Sequence, residues 1–139
     1  MMQSYRIDSL REGMNTFKEE AKRGHRYLVA TEGNTVIGFI SWTVHDLPKH
    51  ELAELNRVAV AKEHRGKGVA RALFRYMIGD MKRFYAAHGK KLRKVYLMTH
   101  GSNRVARAFY RKMGLRLEAR LKDHYYGGED ECVYSMFFE

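Results

Sequence analysis

Two hydrophobic periodicities run along the chain, and they predict strands in some segments and helices in others. Alternation of apolar and polar residues is typical of half-buried strands. It occurs in "RYLVATEGNTVIGFISWTV", "ELAELNRVAV", "KVYLMTH", "LRLEARLKDHYY" and "DECVYSMFF". The first segment predicts two strands joined by a turn at "EGN", and "GGED" predicts the turn between the last two strands. A short first strand is also predicted over residues 5–7.

Apolar residues at a spacing of three and four predict three helices. The first covers residues 10–23. The second follows Gly68 and ends at Gly89, and the third begins at a cap on Ser102 or Asn103 and stops at Gly114. The apolar face of the second helix comprises Val69, Ala70, Leu73, Phe74, Met77, Met81, Phe84, Tyr85 and His88.

The predicted order of elements is β, α, β, β, β, α, β, α, β, β, in what we interpret as one domain spanning residues 1–139. Runs of antiparallel strands flank a central strand–helix–strand–helix unit. This order predicts an α/β fold built on a mixed, mostly antiparallel sheet with helices on both faces.

Composition excludes several classes of protein. The single cysteine, Cys132, cannot form a disulfide framework, and no cysteine and histidine spacing predicts a zinc site, so we expect no metal. Residues 1–8 lack the apolar core of a signal peptide, and no apolar run is long enough to span a membrane. We therefore expect a soluble cytoplasmic protein.

Positive charge is concentrated in the middle of the chain. The formal net charge is +10; residues 57–94 hold 12 Lys or Arg against 2 Asp or Glu, whereas residues 123–139 hold none against 5. A basic block of this kind predicts an anion-binding region, and a solvated surface or a nucleic-acid-binding domain are the alternatives.

The stretch "EHRGKGVARALF" lies within this basic block, between a predicted strand and a predicted helix. A helix N-terminus presents unpaired N–H groups, and glycine lets a phosphate approach the backbone closely. A Walker A loop would need a glycine at Ala61, and a dinucleotide fingerprint would need one at Arg71. The pattern R/Q-x-x-G-x-G/A fits, with Arg65, Gly68 and Ala70.

Two segments together resemble the GCN5-related N-acetyltransferases, the GNAT family. "LNRVAVAKEHRGKGVARALF" is similar to the family's cofactor-binding motif, and "NRVARAFYRKMGL" is similar to the motif that follows it. Their separation and the predicted strand order also match the family over nearly the whole chain. The resemblance implies a sheet with a splayed central parallel strand pair and the use of acetyl-CoA.

The resemblance also implies where acetyl-CoA binds. The pantetheine arm would pair with backbone groups of Val58 and Val60, on a strand that carries a bulge. Asn103 would contact the arm, or it serves only as a helix cap. The diphosphate would bind the amides of residues 65–71, which are Arg65, Gly66, Lys67, Gly68, Val69, Ala70 and Arg71.

Direct acetyl transfer requires a proton donor for the leaving thiolate and a proton acceptor for the amine. Tyr110 matches the family's recurrent tyrosine and is the predicted acid, also counted among the cofactor-binding residues. Glu54, six residues before Val60, occupies the position of a catalytic glutamate in one branch of the family. Another branch uses a glutamate where this chain has Met98, so His100 or an ordered water stays an alternative base.

The acceptor is predicted only as an amine: a small molecule, a peptide N-terminus or a lysine. The acidic C-terminal segment beside Tyr125 and Tyr126 could attract a cationic amine, or it forms a polar turn. A nucleic-acid-binding domain and a non-catalytic acetyl-CoA-binding member of the family are the alternative functions. A homodimer is left open.

Overall fold

The structure is a computed structural model that describes residues 24–139. The strand predicted over residues 5–7 and the helix predicted over residues 10–23 lie outside the described residues. No helix within the described range is long and apolar enough to cross a membrane.

Within residues 24–139, six strands form one sheet in the order β1-β2-β3-β4-β6-β5. Only β3 and β4 run parallel among these neighbours; the other pairs are antiparallel. The mixed, mostly antiparallel sheet predicted from the sequence is therefore confirmed. The strands are β1 (Arg26–Glu32), β2 (Thr35–Val44), β3 (Leu52–Val60), β4 (Lys94–His100), β5 (Arg116–Tyr126) and β6 (Glu129–Phe137).

The central parallel pair separates along its length. Its pairing covers Leu52 to Glu54 of β3 against Lys94 to Tyr96 of β4, and no further. On the other side of β3, Ser41 pairs with Arg57 but Trp42 pairs with Leu55, so Asn56 is an extra residue in β3. The predicted bulge and splay are both present, and a wedge opens between the later halves of β3 and β4.

In the described part of the chain, two α-helices pack against the sheet: α1 (Val69–Ala87) and α2 (Arg104–Lys112). The β3–α1–β4 and β4–α2–β5 crossovers progress in the same direction across the sheet, so their right-handedness places both helices on one face. Both helices contribute to a single hydrophobic core, with Met77 and Tyr85 from α1 and Tyr110 from α2. The prediction of helices on both faces is therefore not met within residues 24–139, and the helix predicted over residues 10–23 lies outside that range.

The predicted helix ends are close to those observed. Gly89, with φ of 69°, follows the last turn of α1, where the His88 and Gly89 amides bond carbonyls of that turn. Gly114, with φ of 101°, follows α2. At both sites glycine permits the left-handed backbone that ends the helix.

Candidate active site

The glycine loop connects the end of β3 to the start of α1. Gly66 and Gly68 have φ values of 76° and 83°, and α1 begins directly after Gly68 without any side-chain cap. A left-handed residue at each position turns the chain so that successive N–H groups face the same side. An added Cβ would meet no atom within 4 Å at either glycine, so the space above the loop is open.

The amides of this loop are available to a ligand. No acceptor among residues 24–139 bonds the N–H groups of residues 66–71, and the first helical amide bond runs from Ala72 to the Gly68 carbonyl. The Arg65 amide donates to the Lys62 carbonyl at 3.4 Å, so its contact with a ligand stays a prediction. Unpaired amides at a helix N-terminus suit an anion with several oxygens.

A cleft of about 680 Å³ lies against the loop, with an apolar wall from Val105, Phe109 and Met113. A smaller cleft of about 260 Å³ shares Arg71, Lys112 and Met113 with it, so the two are continuous. No acidic residue from the described part of the chain lines either one. The predicted cofactor residues that line the larger cleft are Val60, Arg65, Gly66, Gly68, Val69, Ala70 and Arg71.

Backbone groups of β3 face the wedge. The Ala61 amide donates to the Ile37 carbonyl of β2 at 2.7 Å. Because successive residues of a strand direct their groups to opposite edges, Val58 and Val60 direct theirs toward β4. The pairing with β4 has ended at Glu54, so no strand from residues 24–139 occupies that edge. The Val60 carbonyl accepts a hydrogen bond from Arg65 Nε at 3.1 Å instead.

Asn103 caps α2. Its Oδ1 accepts from the Ala106 amide at 3.1 Å, as expected of an N-cap residue. A contact with the pantetheine arm stays a prediction, as does a contact from Lys67, which is exposed and does not line the cleft.

Tyr110 lies in the core beneath the clefts, with 1% of its surface exposed. Its ring packs on those of Phe109 and Tyr134, at centroid distances of 5.6 and 6.3 Å. Burial holds the pKa of its phenol well above the usual 10. The group is therefore protonated at neutral pH and can act as a proton donor, although it does not line the described clefts.

Glu54 lies where the wedge closes. It is the last β3 residue paired with β4, opposite Tyr96, and its side chain is half-buried on the face away from Ala53 and the helices. The pKa of the Tyr96 phenol is raised, chiefly by burial. The charge of Glu54 and a hydrogen bond between Tyr96 and Glu54 raise it further. The Tyr96 hydroxyl also lies 2.7 Å from His45 Nδ1 in a hydrogen bond.

His100 lies at the end of β4, and its Nδ1 is in hydrogen-bond contact with the Glu131 carboxyl group of β6. The Glu131 side chain is buried, whereas that of His100 is about half exposed. The Tyr126 ring lies 6.1 Å from the imidazole. Residues two apart on a strand share a face, so Tyr96, Met98 and His100 lie on one face of β4. Glu54 of β3, which is paired with Tyr96, lies on the same face of the sheet.

A sequence model of the acetyltransferase (GNAT) family matches residues 2–115. The chain belongs to the GNAT family. The placement of the cofactor on the amide-rich loop, the bulged strand and the wedge stays a prediction.

Three known proteins illustrate the relationship. The N-alpha-acetyltransferase of Saccharolobus solfataricus is 32% identical over 125 residues, which cover 82% of this chain and 71% of the relative. The ribosomal-protein-S18-alanine N-acetyltransferase of Escherichia coli superposes with a TM-score of 0.73 at 20% identity, covering 98% of this chain and 80% of that one. An acetyltransferase of Bacillus anthracis, solved with acetyl coenzyme A, gives 0.68 at 21% identity, with 84% and 64% covered. The predicted GNAT fold, N-acetyltransferase activity and use of acetyl-CoA are confirmed.

The site of this GNAT enzyme fits acetyl-CoA on its own chemistry. The free amides of residues 66–71 suit a diphosphate, and the strand edge at Val58 and Val60 suits the amide groups of an extended arm. Arg71 and Lys112 have no ion-pair partner among residues 24–139 and add positive charge where the nucleotide phosphates would lie.

Carboxylates of the acidic β5–β6 hairpin have partners within the chain. Asp130 pairs with Arg120 at 2.9 Å, and this hydrogen bond holds the pKa of Asp130 below its usual range. Glu129 accepts from the Ser102 amide at 3.0 Å, which lowers its pKa likewise. These carboxylates are occupied within the chain, so they are poorly suited to attract a cationic amine.

Sequence reasoning missed Tyr96, His45 and Glu131. None of the three belongs to a recognisable motif in its own segment, and each contacts a candidate site residue or its partner only across the fold. The alternation in "KVYLMTH" places Tyr96 and His100 on one face, but only the observed register brings Tyr96 to Glu54 and Glu131 to His100.

Proposed function

We propose that this protein transfers an acetyl group from acetyl-CoA directly to a primary amine, and that the amine is the α-amino group of a peptide or protein N-terminus. The row of free amides in front of a splayed strand is the observation on which the proposal rests. The N-alpha-acetyltransferase at 32% identity supports the choice of acceptor.

The chain's own groups would hold acetyl-CoA along one continuous path. The amides of residues 66–71 would bind the diphosphate, with the Arg65 side chain at the rim. Val58 and Val60 would pair with the pantetheine arm in the wedge. The adenosine and its 3′-phosphate would lie over the smaller cleft, between Arg75 and Lys112. Bound acetyl-CoA supplies a thioester whose carbonyl carbon is the electrophile.

The transfer forms one C–N bond and breaks one C–S bond. The neutral amine attacks the carbonyl carbon, the attacking nitrogen loses a proton, and the departing thiolate gains one. We assign proton donation to Tyr110, because burial keeps its phenol protonated. We assign proton acceptance to Glu54, which lies on the opposite face of the sheet. His100 is the second candidate base, because its Nδ1 is held by Glu131 and its ring is half exposed.

The cost of deprotonating the acceptor favours an α-amine. A lysine side chain with a pKa of about 10.4 pays about 4.6 kcal/mol to become neutral at pH 7. A peptide α-amine with a pKa of about 7.8 requires only about 1.1 kcal/mol. Among residues 24–139 the carboxylates of Glu129 and Asp130 already have partners, so they form no anionic pocket that would favour a lysine side chain, which is cationic at pH 7.

The test compares ligands and acceptors on the same protein. Saturating acetyl-CoA should raise the melting temperature, and free thiol should appear when a peptide with an unblocked N-terminus is added. Lysine side chains in peptides with a blocked N-terminus should react at least tenfold more slowly, a conservative bound given the difference of about 3.5 kcal/mol. Stabilisation by duplex DNA with no response to acetyl-CoA would refute the proposal. Binding without turnover would identify a non-catalytic member instead.

Cytoplasmic location and a homodimer also stay predictions. The absence of a zinc-like or disulfide-like cysteine pattern supports the first. Sedimentation with and without acetyl-CoA would test the second.

A further inference from the structure

Three polar side chains form a line from the point where the wedge closes to the surface. Glu54 of β3 lies opposite Tyr96 of β4, and the Tyr96 hydroxyl lies 2.7 Å from Nδ1 of His45, immediately after β2. The His45 side chain is exposed, whereas Glu54 and Tyr96 are half-buried. The line therefore joins a sheltered carboxylate to bulk water through one phenol.

The backbone fixes each member of this line. Glu54 and Tyr96 are direct partners in the only paired stretch of β3 and β4 among the described residues. The His45 amide donates to the Leu52 carbonyl at 2.9 Å, which closes the β2–β3 connection and positions the imidazole. The His45 and Tyr96 rings meet edge to face at 5.4 Å. A rigid placement of this kind is needed for a hydrogen-bonded chain to conduct a proton.

We propose that Tyr96 and His45 form a proton relay that carries the proton accepted by Glu54 from the acceptor amine out to solvent. This inference rests on the proposed acetyl transfer and on Glu54 as its base. Tyr96 and His45 act through Glu54 and not on the substrate, so they are positioning residues of the reaction.

The proton balance of the relay closes without another reactant. Glu54 receives the proton released by the attacking amine and passes it to the Tyr96 oxygen as Tyr96 passes its own proton to His45 Nδ1. The imidazolium then releases a proton to water, and the carboxylate, the phenol and a neutral imidazole are restored.

The geometry also explains why Tyr96 can serve as the central member. Its hydroxyl has one proton and faces two acceptors, the Glu54 carboxylate and the His45 nitrogen. A phenol whose ionised form is disfavoured by burial and by a neighbouring carboxylate does not hold the charge itself. It exchanges one proton for another, which is the behaviour that a relay requires.

The test uses steady-state thiol release from the full-length protein with acetyl-CoA and a peptide amine. His45→Ala and Tyr96→Phe should each lower kcat about tenfold, with the KM for acetyl-CoA within about twofold of the unsubstituted protein, since removing a proton path affects turnover alone. The double variant should be no slower than Tyr96→Phe, because the two residues belong to one path. His50→Ala is the matched control and should keep full activity, because this histidine lies in the same β2–β3 connection and its side chain contacts Asp46 at 3.1 Å.

Rescue of kcat by added imidazole distinguishes a proton-transfer role of His45 from a purely structural one. It should restore kcat of His45→Ala in proportion to its concentration and leave His50→Ala unchanged. Full kcat in His45→Ala, or a loss that imidazole cannot restore in a variant with an unchanged melting temperature, would overturn the relay while leaving acetyl transfer intact. No thiol release by the unsubstituted protein with any amine would overturn the proposed function and the relay with it.

Discussion

Replacing Gly68 by alanine tests the phosphate loop more directly than any charge substitution. Gly68 has φ of 83° and lines the larger cleft, and an added Cβ would meet no protein atom within 4 Å. The methyl group would therefore project into the space assigned to the diphosphate. Gly33, with φ of 61° and equally open surroundings, lies in the β1–β2 turn away from the cleft and is the matched control.

The two substitutions should cost the fold similar amounts. An L-residue in the left-handed region is destabilised by about 1–2 kcal/mol, and neither site adds a steric clash. For a chain of this size, 1 kcal/mol lowers the melting temperature by about 4 °C. Both variants should therefore melt about 4–8 °C below the unsubstituted protein when no ligand is added.

Only Gly68→Ala should lose affinity for acetyl-CoA. At a ligand concentration about 100 times Kd, binding stabilises the native state by about 2.7 kcal/mol. A tenfold weaker Kd in Gly68→Ala would reduce this stabilisation to about 1.4 kcal/mol, so the ligand-induced rise in melting temperature should be about halved. Gly33→Ala should keep the full rise.

Differential scanning fluorimetry over a series of acetyl-CoA concentrations measures both effects. Calorimetric titration of each variant checks that the change lies in Kd and not in the heat capacity of unfolding. An undiminished ligand response in Gly68→Ala, with the expected loss of intrinsic stability, would show that the diphosphate does not contact this loop.

Four further predictions concern individual side chains. Tyr110→Phe should lower turnover in the thiol-release assay while the calorimetric Kd for acetyl-CoA stays within about twofold; unchanged turnover would remove Tyr110 as the acid. Glu54→Gln should lower kcat/KM more for a lysine-like amine than for a peptide α-amine, because the former has more need of a base, and equal losses would argue against this role. Burial, aided by the charge of Glu51, raises the pKa of Tyr85 to about 12. The folded state therefore favours the neutral phenol of Tyr85, and the stability that this phenol contributes should be complete below pH 10 and decline as the pH rises toward 12. The free energy of unfolding of Tyr85→Phe should lack this alkaline decline, and identical pH dependence in the two proteins would contradict the prediction. Arg75→Ala should weaken the binding of coenzyme A but not of its 3′-dephospho form, and an equal effect on both would place the 3′-phosphate elsewhere.

Much of the fold was predictable because its signals are local. Alternation over five to ten residues located the described strands, and glycine after the apolar spacing located the ends of α1 and α2. The phosphate loop was predictable for the same reason, since Gly66 and Gly68 are needed wherever the backbone must turn its amides to one side.

The face of the sheet that carries Glu54 was less predictable, because the contacts on it depend on the register between distant segments. Tyr96 and His45 are 51 residues apart, and His100 and Glu131 are 31 apart. Whether such residues meet is decided by the pairing of β4 with β3 and β6, and a shift of one residue would move each side chain to the opposite face. The pairing of Asp130 with Arg120 was missed for a related reason, because it depends on how β5 and β6 align.

The splay between β3 and β4 has a consequence for how the molecule behaves among other proteins. An unpaired strand edge ordinarily recruits a neighbouring chain and promotes aggregation. Here the unpaired edge of β3 is internal, with β4 on its far side and a helix beneath it. A full polypeptide strand with side chains on both faces would meet these walls, whereas a slender, unbranched amide-bearing chain would not. The wedge thus leaves the unpaired backbone edge of β3 accessible to a thin ligand and inaccessible to strands of other proteins.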